Sequence, residues 1–243
     1  MQLIKLSATD STNAYLKDLI FHNKIEDFTV VMAHTQLKGR GQMGTNWLSE
    51  PGKNLTFSVL VKDLGRPVSD QFLLNIYVSL AIYDTLTHLK VPDLKIKWPN
   101  DIMSGHSKIC GILIENILSG QHIQASIVGI GLNVNQLSFN NLPNVSSLKL
   151  LLGKSLDLDG LLLNIVENLK KLIAQYGKVD RGNLFERYET TLFRKDKPST
   201  FKNEDDEMFM GFIKGVSDAG KLKILMEDNI LKEFNLKEVK LLY

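Results

Sequence analysis

The chain has 243 residues, 44% of them hydrophobic, which is enough for one sizeable core and a small second one. Lys and Arg number 29 against 27 for Asp and Glu, a net charge of +2, so no global field draws the protein to nucleic acid and its cations must act locally. Cys110 is the only cysteine, which excludes an internal disulfide and all-Cys metal sites; no apolar run nears the roughly 18 residues that span a bilayer, and Met1 to Lys5 is too short for a signal peptide, so a cytoplasmic protein without membrane contact is expected.

Leu3 to Leu6 reads as a short strand, after which Asp10 or Ser11 offers a side-chain oxygen to cap a helix with Leu16, Leu19 and Ile20 on its apolar face. Ser11, Thr12 and Asn13 therefore stand at a helix N-terminus, where spacing favours a plain capping role. The apolar run Thr29 to Ala33 then leads into Thr35 to Gly52, where Gly39, Gly41 and Gly44 interleave with Lys38, Arg40 and Gln42. Glycines let backbone N–H groups come close to an anion while the cations flank it, so the stretch reads as a phosphate cradle.

The same G-x-G-x-x-G spacing marks dinucleotide-binding folds and the lid loop of protein kinases. A dinucleotide fold needs a strand running straight into the glycines and a helix leaving them. Here His34 to Lys38 intervene, Pro51 and Gly52 follow, and no helix is expected to start in the loop. Leu55 to Val61 reads as a second buried strand, so the glycines join two strands as in kinases, but His-Arg-Asp and Asp-Phe-Gly triplets are missing and the length leaves little room for two lobes.

Val68 to Leu89, with Ser69 as its cap and apolar residues at Phe72, Leu73, Ile76, Leu80, Ile82 and Tyr83, predicts a long helix over one sheet face. Leu94, Ile96 and Trp98 alternate with Lys95 and Lys97 in the pattern of a half-buried strand, and Pro99 ends it, releasing Asn100 and Asp101 into an edge turn. A polar turn at Ser104 to Ser107 precedes two strands, Ile109 to Glu115 and Gln124 to Ile130, joined by Ser119-Gly120-Gln121. Lys108 at the mouth of that hairpin would ordinarily be a solvated lysine; Gly111, three residues on, permits close approach of a ligand beside it. Gly129 and Gly131 are further small positions, with Asn133 and Asn135 on one side if the strand continues.

Leu156 to Gln175 predicts a strongly periodic helix ending near Gly177, and a second runs from about Asn183 to Phe193. Near Lys195 the texture changes to short alternating runs, Phe209 to Val216, Leu222 to Met226, Ile230 to Phe234 and Val239 to Leu242, which fit a small β-barrel with Glu204 to Glu207 as a solvated hairpin tip. Two domains follow, residues 1–194 and 195–243, in an α+β fold whose first sheet is mixed, largely antiparallel and covered by helices.

Five stretches occur in order: Ser11-Thr12-Asn13, Gly39-Arg40-Gly41 with Trp47, Lys97-Trp98-Pro99-Asn100-Asp101, Lys108 to Glu115, and Gly129-Ile130-Gly131-Leu132-Asn133. In order and spacing they resemble the biotin protein ligase family over nearly the whole chain, in its form without a DNA-binding domain, since Ser11 stands ten residues after Met1. Lipoate and octanoyl ligases share the related catalytic fold but are not expected to carry the Lys-Trp-Pro-Asn-Asp run. The resemblance implies the biotin/lipoate ligase catalytic fold followed by an SH3-like domain. It also implies an enzyme that activates biotin with ATP to biotinyl-5′-AMP, releases pyrophosphate, and biotinylates a lysine of a biotin carboxyl carrier domain.

On that resemblance Ser11, Thr12, Asn13, Gln36, Gly39, Arg40, Gly41, Lys108 and Gly111 hold biotin, hydroxyls and amides matching both the donors and the acceptor of its ureido ring. Arg40, Gln42, Trp47, Lys97, Asn100 and Asn133 hold ATP and the adenylate, with Trp47 offering an aromatic face to adenine and Asn133 reading its edge. Arg40 and Lys108 are the catalytic cations, Lys108 bridging the biotin carboxylate and the α-phosphate, and Asp101 is the Mg²⁺ ligand. Where the family often has Gly-Arg-Gly-Arg, this chain has Gln42 after Gly41, one cation fewer beside the adenylate. Expected partners are biotin, ATP and the carrier domain, with no DNA and no membrane, and with room for a homodimer. A lipoate or other acyl ligase of the same fold and a non-catalytic biotin-binding protein are the alternatives; Lys97, Asp101 and Lys108 together weigh against the second.

Overall fold

The protein is described here by a computed structural model covering residues 1–139, 142–176 and 178–243. Its first half builds one sheet from β1 (Leu3–Thr9), β2 (Val30–Gln36), β3 (Leu55–Pro67), β4 (Leu94–Lys97), β5 (Asp101–Ser104), β6 (Ser107–Ser119) and β7 (His122–Leu132), ordered β1-β2-β3-β7-β6-β5-β4. Only β1 and β2 run parallel, linked by the crossover helix α1 (Thr12–His22); every other pair is antiparallel.

Alternation divides the two faces cleanly. Phe57, Val59, Val128, Ile130 and Ile112 point to one side, where the long apolar helix α2 (Gln71–His88) and α4 (Leu158–Ile173) cover them with Ile76, Leu80, Ile165 and Leu169 to form the main core. Val31, Leu60, Ala125 and Ile127 point to the other side, where Leu16 of α1 packs on them. α1 packs on β2, β3 and β7 of that face.

Several expected boundaries shift for identifiable reasons. β1 and β3 outrun the predicted Leu3 to Leu6 and Leu55 to Val61 because their ladders continue past the apolar runs. Ser11 does occupy the N-cap of α1 but its hydroxyl makes no cap bond; the free N–H of Thr12 donates instead to Gln36 Oε1 at 2.8 Å. Ser69 does not cap α2. A 3-10 turn over Val68–Asp70 comes first, and Asp70, at the N-cap, spends its carboxylate on Arg181 at 3.2 Å. The glycine loop, expected to hold no helix, contains one 3-10 turn, Gln42–Gly44. Asp101 is the first residue of a strand rather than part of a turn.

Further along, the short helix α3 (Leu148–Leu152) and the strand β8 (Pro198–Asn203) had no periodicity long enough to be read. α4 stops at Ile173, and the predicted stop at Gly177 lies outside the described residues. After α5 (Arg181–Thr190), the strands β9 (Met208–Val216), β10 (Leu222–Met226), β11 (Leu231–Phe234) and β12 (Val239–Leu242) join β8 in a five-stranded sheet ordered β11-β10-β9-β8-β12. Among the described residues its two edge strands do not pair, so a five-stranded sheet stands where a small barrel was expected, and no closed barrel forms. That sheet is docked on the first: Trp98 Nε1–H donates to the Gly220 carbonyl at 2.8 Å, and Val216 N–H donates to Glu189 Oε1 at 2.9 Å.

Candidate active site

Cross-strand pairing writes the floor of the site directly. Lys97 pairs with Asp101, Asp101 with Gly111, Gly111 with Gly131, and Gly131 with Thr56, so these five residues form one transverse row on a single face of the sheet. The next row on that face runs Leu113, Gly129, Ser58 and Val31. Three glycines in two neighbouring rows leave a dent in an otherwise continuous sheet. Above it lies a cavity of about 430 Å³ whose lining includes α1's first residues, the glycine loop and the β4–β5 hairpin.

Lys108 reaches the dent through a backbone irregularity. Gly111 lies three positions further on, which in a plain strand puts the two side chains on opposite faces. The β5–β6 register shifts between Ile102, opposite Cys110, and Met103, opposite Lys108, so Ile109 is an extra residue and Lys108 turns to the Gly111 side. Its ammonium stands 2.6 Å from Asp101 Oδ1, and its backbone is fixed by bonds to the Asn144 carbonyl (2.7 Å) and from Ser146 N–H (3.1 Å). Asn133, pairing its N–H with the Ile109 carbonyl at 2.8 Å, helps anchor the same bulge.

At the α1 end the groups are neutral and already interlocked. Gln36 Oε1 accepts from both the N–H and the hydroxyl of Thr12; Ser58 Oγ lies 2.7 Å from Thr12 Oγ1 and donates to Asn13 Oδ1 at 2.6 Å; Asn13 Nδ2 donates to Glu115 Oε2 at 2.7 Å. Such a network holds its members in one geometry before any ligand arrives. Gly129 makes room for it, since a Cβ there would run into Asn13 Oδ1.

The glycine loop folds over the floor as a small closed hairpin, with Trp47 N–H donating to the Gly39 carbonyl (2.9 Å) and Gly41 N–H to the Thr45 carbonyl (2.7 Å). The Trp47 indole lies on Gly131 and Gly111, where an added Cβ would meet its ring atoms; its Nε1–H is buried without a partner among the described residues, and Lys108 Nζ sits 5.6 Å from the ring centroid. Electrostatics are lopsided: four cations, Arg40, Lys97, Lys108 and Lys240, line the cavity against a single carboxylate, Asp101. Burial pulls Lys97 below the ordinary lysine range, with Lys108 adding to the fall and Asp101 opposing it. Burial also pushes the Cys110 thiol well up, so this cysteine stays protonated and takes no nucleophilic part.

Of the residues singled out from the sequence, Ser11, Thr12, Asn13, Gln36, Arg40, Gly41, Gln42, Trp47, Lys97, Asn100, Asp101, Lys108 and Gly111 all line this one cavity. Two do not. Gly39 lies on the adjoining groove, where its missing side chain lets Trp47's carbonyl and Gln36's amide come close. Asn133 is buried past the end of β7 and outside the cavity lining, its Nδ2 donating to the Ser146 carbonyl at 3.1 Å while its Oδ1 has no partner among the described residues. Trp47 faces glycine backbone with one side of its ring rather than standing free for adenine. Sequence reasoning missed Lys240, Ser58 and Glu115. Lys240 alternates with Val239 and Leu241 as any solvated strand lysine does, and the other two gain meaning only through the register of β3 and β6.

Residues 6–133 match the family described as the Biotin/lipoate A/B protein ligase family. Over 238 residues the chain is 27% identical to the bifunctional ligase/repressor BirA of Bacillus subtilis (strain 168), covering 95% of this chain and 70% of that one. It is 37% identical over 131 residues to a biotin--[acetyl-CoA-carboxylase] ligase of Paracoccus denitrificans, 53% of each chain. Among solved structures, the biotin protein ligase from Aquifex aeolicus in complex with biotin and ATP superposes with a TM-score of 0.82 at 26% identity, covering 99% of this chain and 98% of that one.

Proposed function

The chain belongs to the biotin/lipoate A/B protein ligase family, and on that premise we propose how its cavity performs ATP-dependent biotin ligation: biotin is activated to biotinyl-5′-AMP and then passed to a lysine of a carboxyl carrier domain in the cytoplasm. The observation that carries this reading is the polarity of the cavity, neutral hydrogen-bonding groups at the α1 end and four cations at the other, across a floor of glycine backbone. A neutral bicyclic urea with a carboxylate tail fits that gradient, its ring among Ser11, Thr12, Asn13 and Gln36 and its tail running along the Trp47 ring, which rests on Gly111 and Gly131, towards Lys108.

In the first step a biotin carboxylate oxygen attacks the α-phosphorus and pyrophosphate leaves. Two anions must meet, so the site has to supply positive charge in fixed positions. Lys108 is held at the floor by Asp101 and is the cation that can touch both reacting groups; Arg40 forks onto phosphate oxygens from the loop, while Lys97 and Lys240 face the outer phosphates. In the second step the carrier lysine's amine attacks the acyl carbon and AMP leaves. Trp47 is reassigned from adenine to the biotin floor, and Asn133 to the support of Lys108. On a division into domains 1–194 and 195–243 Lys240 belongs to the second, and its position in the cavity lining supports a site to which both contribute.

Mg²⁺ fits the residues present in one mode only. Among the described residues no group of three or more His, Cys, Asp or Glu could cage a metal, and Asp101 is the one carboxylate lining the cavity. A lone carboxylate acting together with substrate phosphates is a common way to hold this ion. When bound, it would neutralise charge on the triphosphate.

The deciding assay is incubation with ATP, Mg²⁺, biotin and a carrier domain, followed by intact mass of the carrier. Biotinylation is the expected result, and a carrier that takes up lipoate instead overturns the assignment of substrate. Two further results are expected. Backbone amides from Gly39 to Trp47, tied only by the loop's own few bonds, should exchange hydrogen quickly in the free protein and slowly with biotin and ATP present; equal protection in both states contradicts a loop ordered by ligand. Gln42 lines the cavity as a neutral group, so Gln42→Arg should slow release of preloaded biotinyl-5′-AMP by about tenfold, a hydrogen bond to a charged donor exceeding a neutral one by roughly one kcal/mol or more. Release that is unchanged or faster shows that position 42 does not reach the phosphate.

A further inference from the structure

Lys97 stands on the partition between two cavities. It lines the one described above, and with Tyr243 it also lines a second, of about 590 Å³, between the two sheets. A lysine side chain has four rotatable bonds, so its ammonium can serve either space unless something restrains it. The nearest restraint is aromatic: Lys97 Nζ lies 4.7 Å from the centroid of the Tyr243 ring, within the range where a cation is attracted to the ring face.

The ring itself is well held. Phe193 meets it edge-on at 5.2 Å and His106 stacks on it at 6.4 Å with planes 23° apart, so residues beside α5 and β5 fix a side chain that follows β12 of the second sheet. Tyr243 contributes to no other described hydrogen bond or ion pair, and burial raises its phenol above the ordinary range, so the hydroxyl remains a neutral group and the ring face is what it offers Lys97.

We propose that Tyr243 is a positioning residue for the ligation reaction, its ring limiting the swing of the Lys97 ammonium where the two cavities meet so that the cation stands at the edge of the first when the phosphates of ATP arrive. This rests on the reading of Lys97 as a phosphate-facing cation. Tyr243 does not touch substrate; it acts by limiting where Lys97 can go, which places a requirement of the reaction in the second sheet.

Steady-state pyrophosphate release, with ATP and biotin varied separately, tests it. Tyr243→Leu should raise KM for ATP about three- to tenfold, with kcat and KM for biotin within about twofold, and Tyr243→Phe should restore the parent value. Pentafluorophenylalanine placed at position 243 keeps the shape of Phe but reverses the ring's charge distribution, so it should behave like Leu even if the Leu variant itself proves unstable. Lys97→Met should raise KM for ATP on its own, and adding Tyr243→Leu to it should change nothing more. If Lys97→Met leaves KM for ATP unchanged, the phosphate-facing role of Lys97 is wrong. If Lys97→Met raises it while the Leu and pentafluoro variants do not, or if the two substitutions add in full, Lys97 keeps its role and the positioning by Tyr243 is overturned. A Phe variant as impaired as Leu also overturns it, because the ring face would not be the active part.

Discussion

Lys108→Ala should reduce pyrophosphate release by roughly 10² to 10³ at saturating ATP and biotin, since loss of one preorganised charge donor at a developing anion commonly has that effect. On the proposed reading the ammonium lies between the biotin carboxylate and the α-phosphate, and it is the partner of Asp101, which is only 16% exposed. The variant therefore loses a cation and leaves a carboxylate without its counter-charge at the place where a second anion must enter, and like charges there oppose binding. Lys108 is 31% exposed but Asp101 is not, so the melting temperature should fall with the loss of the pair while the variant remains folded. Release within about threefold of the parent would remove Lys108 from the chemistry.

Gly129→Ala should weaken biotin binding by about a hundredfold. Its methyl group would strike Asn13 Oδ1, and that amide has nowhere to retreat: Ser58 donates to the oxygen at 2.6 Å, and the nitrogen donates to Glu115 at 2.7 Å. Moving Asn13 breaks one buried and one half-buried hydrogen bond, each worth about 1–3 kcal/mol when a partner is left unsatisfied, and a net loss near 3 kcal/mol corresponds to about 10² in Kd. Titration calorimetry with biotin reads the effect directly. A Kd within about threefold of the parent would mean that Asn13 does not hold the ureido ring.

Local patterns made much of this molecule legible in the sequence. Alternation found β4, β7 and β10, apolar periodicity found α2 and α4, and the position of Gly39 to Gly44 between two strands is as expected. The site was legible wherever residue type and short spacing carried the chemistry, and thirteen of the fifteen residues named converge on one cavity. What escaped was non-local. Asn133 follows a glycine-rich strand that looks as if it continues, but the chain leaves the ladder at Leu132 and turns the amide onto Ser146. The bulge at Ile109 leaves no mark in composition, yet it alone decides which way Lys108 points. Ser58, Glu115 and Lys240 are ordinary strand residues until register sets them beside Asn13 and Lys97's cavity.

Gly111 and Gly131 face each other across a single rung, and Gly129 lies one row away. Beneath the Trp47 ring the bottom of the pocket is thus made of main chain, and glycine is already the smallest residue. Any substitution there can only make the pocket shallower; none can deepen it or offer a new functional group without also displacing the Trp47 ring. An engineer who wants this scaffold to accept a bulkier acid has no lever at the bottom and must work on the sides, at Leu113, on Trp47 itself, or in the span of loop that carries it. The same asymmetry applies to natural drift: in this architecture a change of substrate has to be written in the walls, and the lineage can alter the width and length of what it binds far more readily than the depth.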